Sequence, residues 1–181
     1  MAYFRDGHDI AAELVAALEA YVSSTEGAAA TAQAAREFQA GEEAVVLFET
    51  SNPEAAVRLD LRNRTVARGG GAATVGLRMD ADTMHDLMLD RLDGGQIARA
   101  FEEGRLAITG PPWALDALVK ISQSVSQCWR QSLEARGRQD LLSAPPPPPA
   151  GVWEKYYDPE VFVEQIIPER KRRIQEYTRA G

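Results

Sequence analysis

Cysteine occurs once in this 181-residue chain, histidine twice and lysine three times, and each scarcity excludes something. With Cys128 alone, no intramolecular disulfide and no cysteine-based metal cluster can form. Its place inside a predicted helix reads as a small buried hydrophobe rather than a reactive thiol. His8 and His85 show no His-x-x-x-His spacing and no other ligand set, so neither a metal site nor a cofactor is expected. Basic charge is also short: 20 Lys and Arg face 27 Asp and Glu, for a net charge of −7. Neutralising phosphates needs a basic surface, so nucleic acid is not an expected partner.

Other signatures are missing as well. There is no G-x-x-x-x-G-K phosphate loop, and Gly69-Gly70-Gly71 reads as a flexible hairpin or bulge. No G-x-S-x-G elbow occurs, and the serines within 122–126 fall mid-helix beside no base. No apolar run approaches the ~20 residues of a membrane span. The opening MAYFRDGHDIAAEL lacks the layout of a secretory signal, and YTRAG is no retention or peroxisomal address, so a cytoplasmic protein is expected. Seventeen Arg against three Lys, with abundant Ala, has the look of a GC-rich bacterial coding bias.

What is present is an ordinary globular composition, 45% hydrophobic and 26% charged, long enough for one domain with a sizeable core plus appendages. Residues 10–22 place Ile10, Leu14, Leu18, Tyr21 and Val22 on one helical stripe, with Asp9 as a candidate cap. The Ala-rich segment 27–41 predicts a second helix ending at Gly41. Four strands follow, at 44–50, 56–61, 66–68 and 73–79; Val57, Leu59 and Leu61 share one face, as do Val75, Leu77 and Met79. Asp80 caps a predicted helix through 84–92, with Met84, Leu87, Met88 and Leu92 on one face and Asp93-Gly94-Gly95 as its stop.

A short helix at 96–104, a strand at 105–109 and a long helix from Pro111-Pro112 to about Gly137 complete the series. Strands in a run followed by helices predict an α+β domain with helices covering one sheet face. The acids Asp80, Asp82, Asp86, Glu102 and Glu103 read as caps and solvated helix surface, with acid–base work by a polar group facing a cavity left open. The stretch 143–150 is an extended Pro-rich linker or a docking motif for a Pro-recognition domain. In the tail, 151–181, RKRR lies among glutamates and reads as solvated helix surface.

The segment QIARAFEEGRLAITG resembles the signature of sterol carrier protein type-2 domains. Ala100, Phe101, Gly104, Arg105, Leu106, Ile108 and Gly110 fall in the family's order, and Gln96 stands where such domains often carry a Gln. The resemblance covers roughly residues 10–137. It implies a five-stranded mixed sheet with helices on one face, enclosing an apolar tunnel that takes sterols, fatty acids, acyl-CoAs or other lipids. Domain limits follow as 1–142 for the lipid-binding domain, 143–150 for the linker and 151–181 for a docking tail.

The expected function is to bind and carry or present a hydrophobic small molecule, with Leu87, Met88, Leu92, Phe101, Leu106, Ile108, Trp113 and Leu118 as candidate ligand-binding residues. No catalytic residue is assigned. Two alternatives stand beside this: an enzyme acting on an apolar metabolite on the same scaffold, and a non-catalytic interaction subunit of a larger complex. Pro111, Pro112 and Trp113 depart from the family, whose members continue there with small residues; the indole would narrow the tunnel or stack on a planar ligand. The tail carries Trp153, Tyr156, Tyr157, Phe162, Ile166 and Ile167, and is expected to dock on its own domain, a second subunit or a partner. Truncation at Ala144 should then lower the melting temperature or change the oligomeric state, and a shortened chain unchanged in both would sink that expectation.

Overall fold

The fold is described from a computed structural model, over residues 3–38, 42–111 and 115–143. The tail and all but the first residue of the linker lie outside the described residues. Helix α1 spans Gly7–Ser23 and buries Ile10, Leu14, Leu18 and Tyr21. Its cap is Asp6, whose carboxylate accepts from the Asp9 amide at 2.8 Å. Asp9 lies inside the first turn instead of capping it, because the helix starts three residues before the apolar stripe.

The exposed His8 also belongs to this first turn, with Nδ1 3.0 Å from Arg68 Nη1. Ser24 then joins α1 to α2, which spans Thr25–Ala34, by accepting from the Gly27 amide at 2.9 Å. A Cβ at Gly27 would lie 1.9 Å from the Tyr21 carbonyl oxygen, so the joint requires glycine. Helix α2 is shorter than the alanines suggest. It tightens into a single 3₁₀ turn, Ala35–Glu37, before the buried Phe38.

The strands are β1 (Val45–Ser51), β2 (Ala55–Asp60), β3 (Thr65–Arg68), β4 (Val75–Asp80) and β5 (Leu106–Thr109). They form one open mixed sheet in the order β3-β2-β1-β4-β5, with only the β1–β4 pair parallel. Alternation decides the faces. Val57, Leu59, Val75 and Met79 enter the core under the helices, whereas Arg58 and Asp60 pair across from Leu47 and Val45 on the other face.

Helix α3 (Ala81–Met88) is capped by Asp80, whose carboxylate accepts from the Thr83 amide at 2.8 Å. It ends at Met88, not at Leu92, since Asp90 takes a left-handed conformation with φ of 55°. Asp93 does not stop a helix but starts one, α4 (Gly94–Glu102). The Asp93 carboxylate accepts from the Gln96 amide while the Gln96 side chain accepts from the Asp93 amide, both at 2.8 Å. Asp followed three residues later by Gln is a capping box, which here outweighs the two glycines between them.

After β5, Gly110 has φ of 123°, and a Cβ there would sit 2.6 Å from the Thr74 carbonyl oxygen, so the last glycine of the signature lets β5 leave the sheet edge. Helix α5 (Leu115–Ala135) closes with a Schellman motif: the Gly137 amide donates to the Glu134 carbonyl and the Arg138 amide to that of Leu133. A last turn, α6 (Gln139–Leu142), buries Leu141.

Candidate ligand-binding site

Strand register sets the floor of the site. Phe48 of β1 pairs beside Leu77 of β4, which pairs beside Ile108 of β5, giving an apolar row across three strands. Over that row lies a half-open cavity of about 310 Å³. Leu87 and Met88 close it from the end of α3, and Ile97 and Phe101 from α4, four residues apart and so on one face. Leu118, Ile121 and Val125 descend from α5 at helical spacing, and Leu106 adds a second side chain from β5. Asp90 and Ser126 are the polar members of this lining.

Of the sequence-predicted residues, Leu87, Met88, Phe101, Leu106, Ile108 and Leu118 are brought together around this cavity. Leu92 is not among its lining residues, because the chain has already left α3. Trp113 lies outside the described residues. Phe48, Ile97, Ile121 and Val125 were not singled out by the sequence, and Leu77 only as a member of a strand face. Leu77 and Phe48 become visible only once the strand neighbours are known.

The depth of the lining is graded. Ile121 and Val125 are each 2% exposed, while Phe101 is 43% and Ile108 38% exposed. Those two are the exposed large hydrophobic residues among the described residues, and both belong to the cavity.

His85 of α3 is fully buried and does not line the cavity. Trp129 Nε1 donates to its Nδ1 at 3.2 Å, and its Nε2 stands 2.9 Å from the Leu141 carbonyl oxygen. An indole N–H can only donate and a carbonyl can only accept, so the ring is the neutral Nε2–H tautomer. Burial lowers its pKa to about 4, against the opposing Leu141 hydrogen bond.

Around it, Tyr3 donates its hydroxyl to Asp86 at 3.0 Å, and burial followed by Asp86 pushes its pKa up to about 12. Asp82 is raised, by burial first. This polar group ties α3, α5, α6 and the N-terminal segment together, away from the cavity wall. Among the described residues no cluster of His, Cys, Asp or Glu has the makings of a metal site, and no helix is long and apolar enough to cross a membrane.

No protein-family model matches the sequence, and no curated protein matches it. Several solved structures are similar. Sterol carrier protein 2 from Yarrowia lipolytica, in its apo form, has a TM-score of 0.43 and 17% identity, over 70% of this chain and 91% of that one. The sterol carrier protein domain 2 of Helicoverpa armigera gives 0.44 and 19%, over 60% and 81%. Sterol carrier protein 2 from Aedes aegypti, in complex with the C16 fatty acid palmitate, gives 0.36 and 17%, over 60% and 93%. The chain resembles sterol carrier protein type-2 domains both in the motif of residues 100–110 and in its α+β fold.

Proposed function

We propose that the protein binds a hydrophobic small molecule in the half-open cavity and carries or presents it. One observation supports this above the rest: the large hydrophobic side chains left exposed among the described residues, Phe101 and Ile108, both stand in the lining of the apolar cavity. A folded chain keeps large apolar groups in water at a cost, and such a patch marks a place where something apolar is received. At roughly 30 Å³ per water-sized group, the cavity holds an apolar body of roughly ten heavy atoms. That lies at the small end of the ~300–1,000 Å³ range of ligand sites. A longer ligand would extend through the open side, past Phe101 and Ile108.

Organic extraction of the freshly purified protein with mass spectrometry, and titration with the neutral probe N-phenyl-1-naphthylamine, test this reading. A stoichiometric apolar compound, or saturable probe fluorescence, is expected. The replacement Ile108→Glu should weaken probe binding by about 2 kcal/mol, roughly thirtyfold, by removing an apolar contact and setting a carboxylate against the apolar wall. Ile108 is partly exposed on an edge strand, so the variant should keep the parent circular-dichroism spectrum. An empty extract without probe response, or unchanged affinity in folded Ile108→Glu, would count against the site.

A further inference from the structure

The apolar cavity does not end in apolar residues. Asp90 and Ser126 also line a second, polar hollow of about 610 Å³, completed by Gln127, Arg130, Gln131 and Glu134. The two spaces share Asp90 and Ser126 in their linings, so a ligand lying in the first has these polar groups beside it.

Asp90 is placed there against local preference. It occupies the left-handed position just past the end of α3, where helices favour Gly or Asn. The carbonyl end of a helix also carries partial negative charge, which disfavours a carboxylate. Its carboxylate makes no ion pair among the described residues. The neighbouring Arg130 instead spends a hydrogen bond on the Leu89 carbonyl oxygen at 3.2 Å. Asp90 and Glu134 against Arg130 leave the described charges of the hollow negative by one. Departures from local helix rules without a structural compensation concentrate at functional positions.

From this we infer that the ligand is an amphiphile whose head donates hydrogen bonds, an aliphatic amine or alcohol rather than a free fatty acid, with the head at Asp90 and the chain between the sheet and α5. This rests on the apolar-cavity reading above. A carboxylate only accepts hydrogen bonds, so it pairs with an ammonium or hydroxyl head and repels a second carboxylate. Asp90 is exposed, so the discrimination is greatest at low salt, where screening is least.

The test uses the full chain at pH 7 and low salt, with decylamine, decanol and decanoate displacing N-phenyl-1-naphthylamine. The three share one chain, so differences report the head. Decylamine should compete about tenfold better than decanoate, with decanol between them, and added salt should narrow the gap. In Asp90→Asn the gap should shrink to about threefold or less with the circular-dichroism spectrum as in the parent, because Asn also suits the left-handed conformation. Equal competition by all three, or tightest binding of decanoate, would overturn the head-group assignment and leave the cavity standing. Failure of the probe to bind at all would remove both.

Discussion

Replacing Arg138 by Met is expected to cost about 3 kcal/mol of stability and to lower the melting temperature by roughly 6–12 °C. Arg138 follows the Schellman turn of α5 and reaches back to α1, where Nη1 lies 2.9 Å from Asp9 Oδ1 and 2.6 Å from Glu13 Oε1. Both carboxylates are buried, at 8% and 2% side-chain exposure. Burial alone would raise Asp9, but the Arg5 amide and the Arg138 guanidinium hold it below the usual carboxylate range.

Met keeps the bulk and removes the charge, so two carboxylates lose a cation they cannot exchange for water. Breaking a buried pair by deleting one partner costs ~3–5 kcal/mol, and the low end applies here. Arg136 still faces Glu13 at 2.9 Å, and Arg5 still faces Asp9 at 3.5 Å. Neutralising Glu13 as well, in Arg138→Met/Glu13→Gln, should recover part of the loss, as expected when two sites share one interaction. A loss under about 1 kcal/mol in urea unfolding would mean that water screens the cluster after all.

That cluster shows which parts of the molecule were legible in the sequence. Arg138 and Asp9 stand 129 residues apart, and no local pattern announces their pairing. Local patterns did announce the strands, because the alternation of Val57, Leu59 and Leu61 repeats every second residue whatever lies beyond it. The cap at Asp80 was equally local. Where two local signals competed, the reading went astray: Gly94-Gly95 suggested a stop, while Asp93 and Gln96 made a start.

The candidate site divides in the same way. Phe101, Leu106 and Ile108 stand in one motif and were found together. Phe48 joins them only through the β1–β4–β5 register, which is a tertiary fact. Asp90 carried no sequence signal at all, since its meaning lies in a backbone angle and in the polar hollow beside it.

Acid should destabilise the fold well before its carboxylates titrate in bulk, and the group responsible is His85. An ordinary histidine titrates at 6.5, whereas this one is held to about 4. Between those values the unfolded chain takes up a proton that the native chain refuses, so stability falls as pH drops. At 1.36 kcal/mol per unit, the interval amounts to about 3 kcal/mol, present in full above pH 6.5 and lost towards pH 4. Burial is the largest cause; the charges of Arg91 and Arg138 lower it further and that of Asp86 opposes them.

Asp82, raised by its own burial, works in the opposite sense near and above its usual 3.8, and Asp9, lowered, adds its loss only below that value. Melting temperature measured from pH 7.5 to 4 should therefore decline through the histidine range. His85→Gln keeps one donor and one acceptor without titrating, so it should start lower and lose most of that slope. A parent protein flat between pH 6.5 and 4.5 would refute the assignment.

The consequence reaches the candidate site through the chain itself. Leu87 and Met88 follow His85 on α3, and Val125 precedes Trp129 by one turn on α5, so the joint and the cavity wall are built on the same two helices. A proton on Nδ1 removes the acceptor that Trp129 uses, which loosens α3 from α5, the two helices that also carry part of the cavity wall. Probe affinity should then fall in step with stability as pH drops, and the His85→Gln variant should lose the pH dependence of both together.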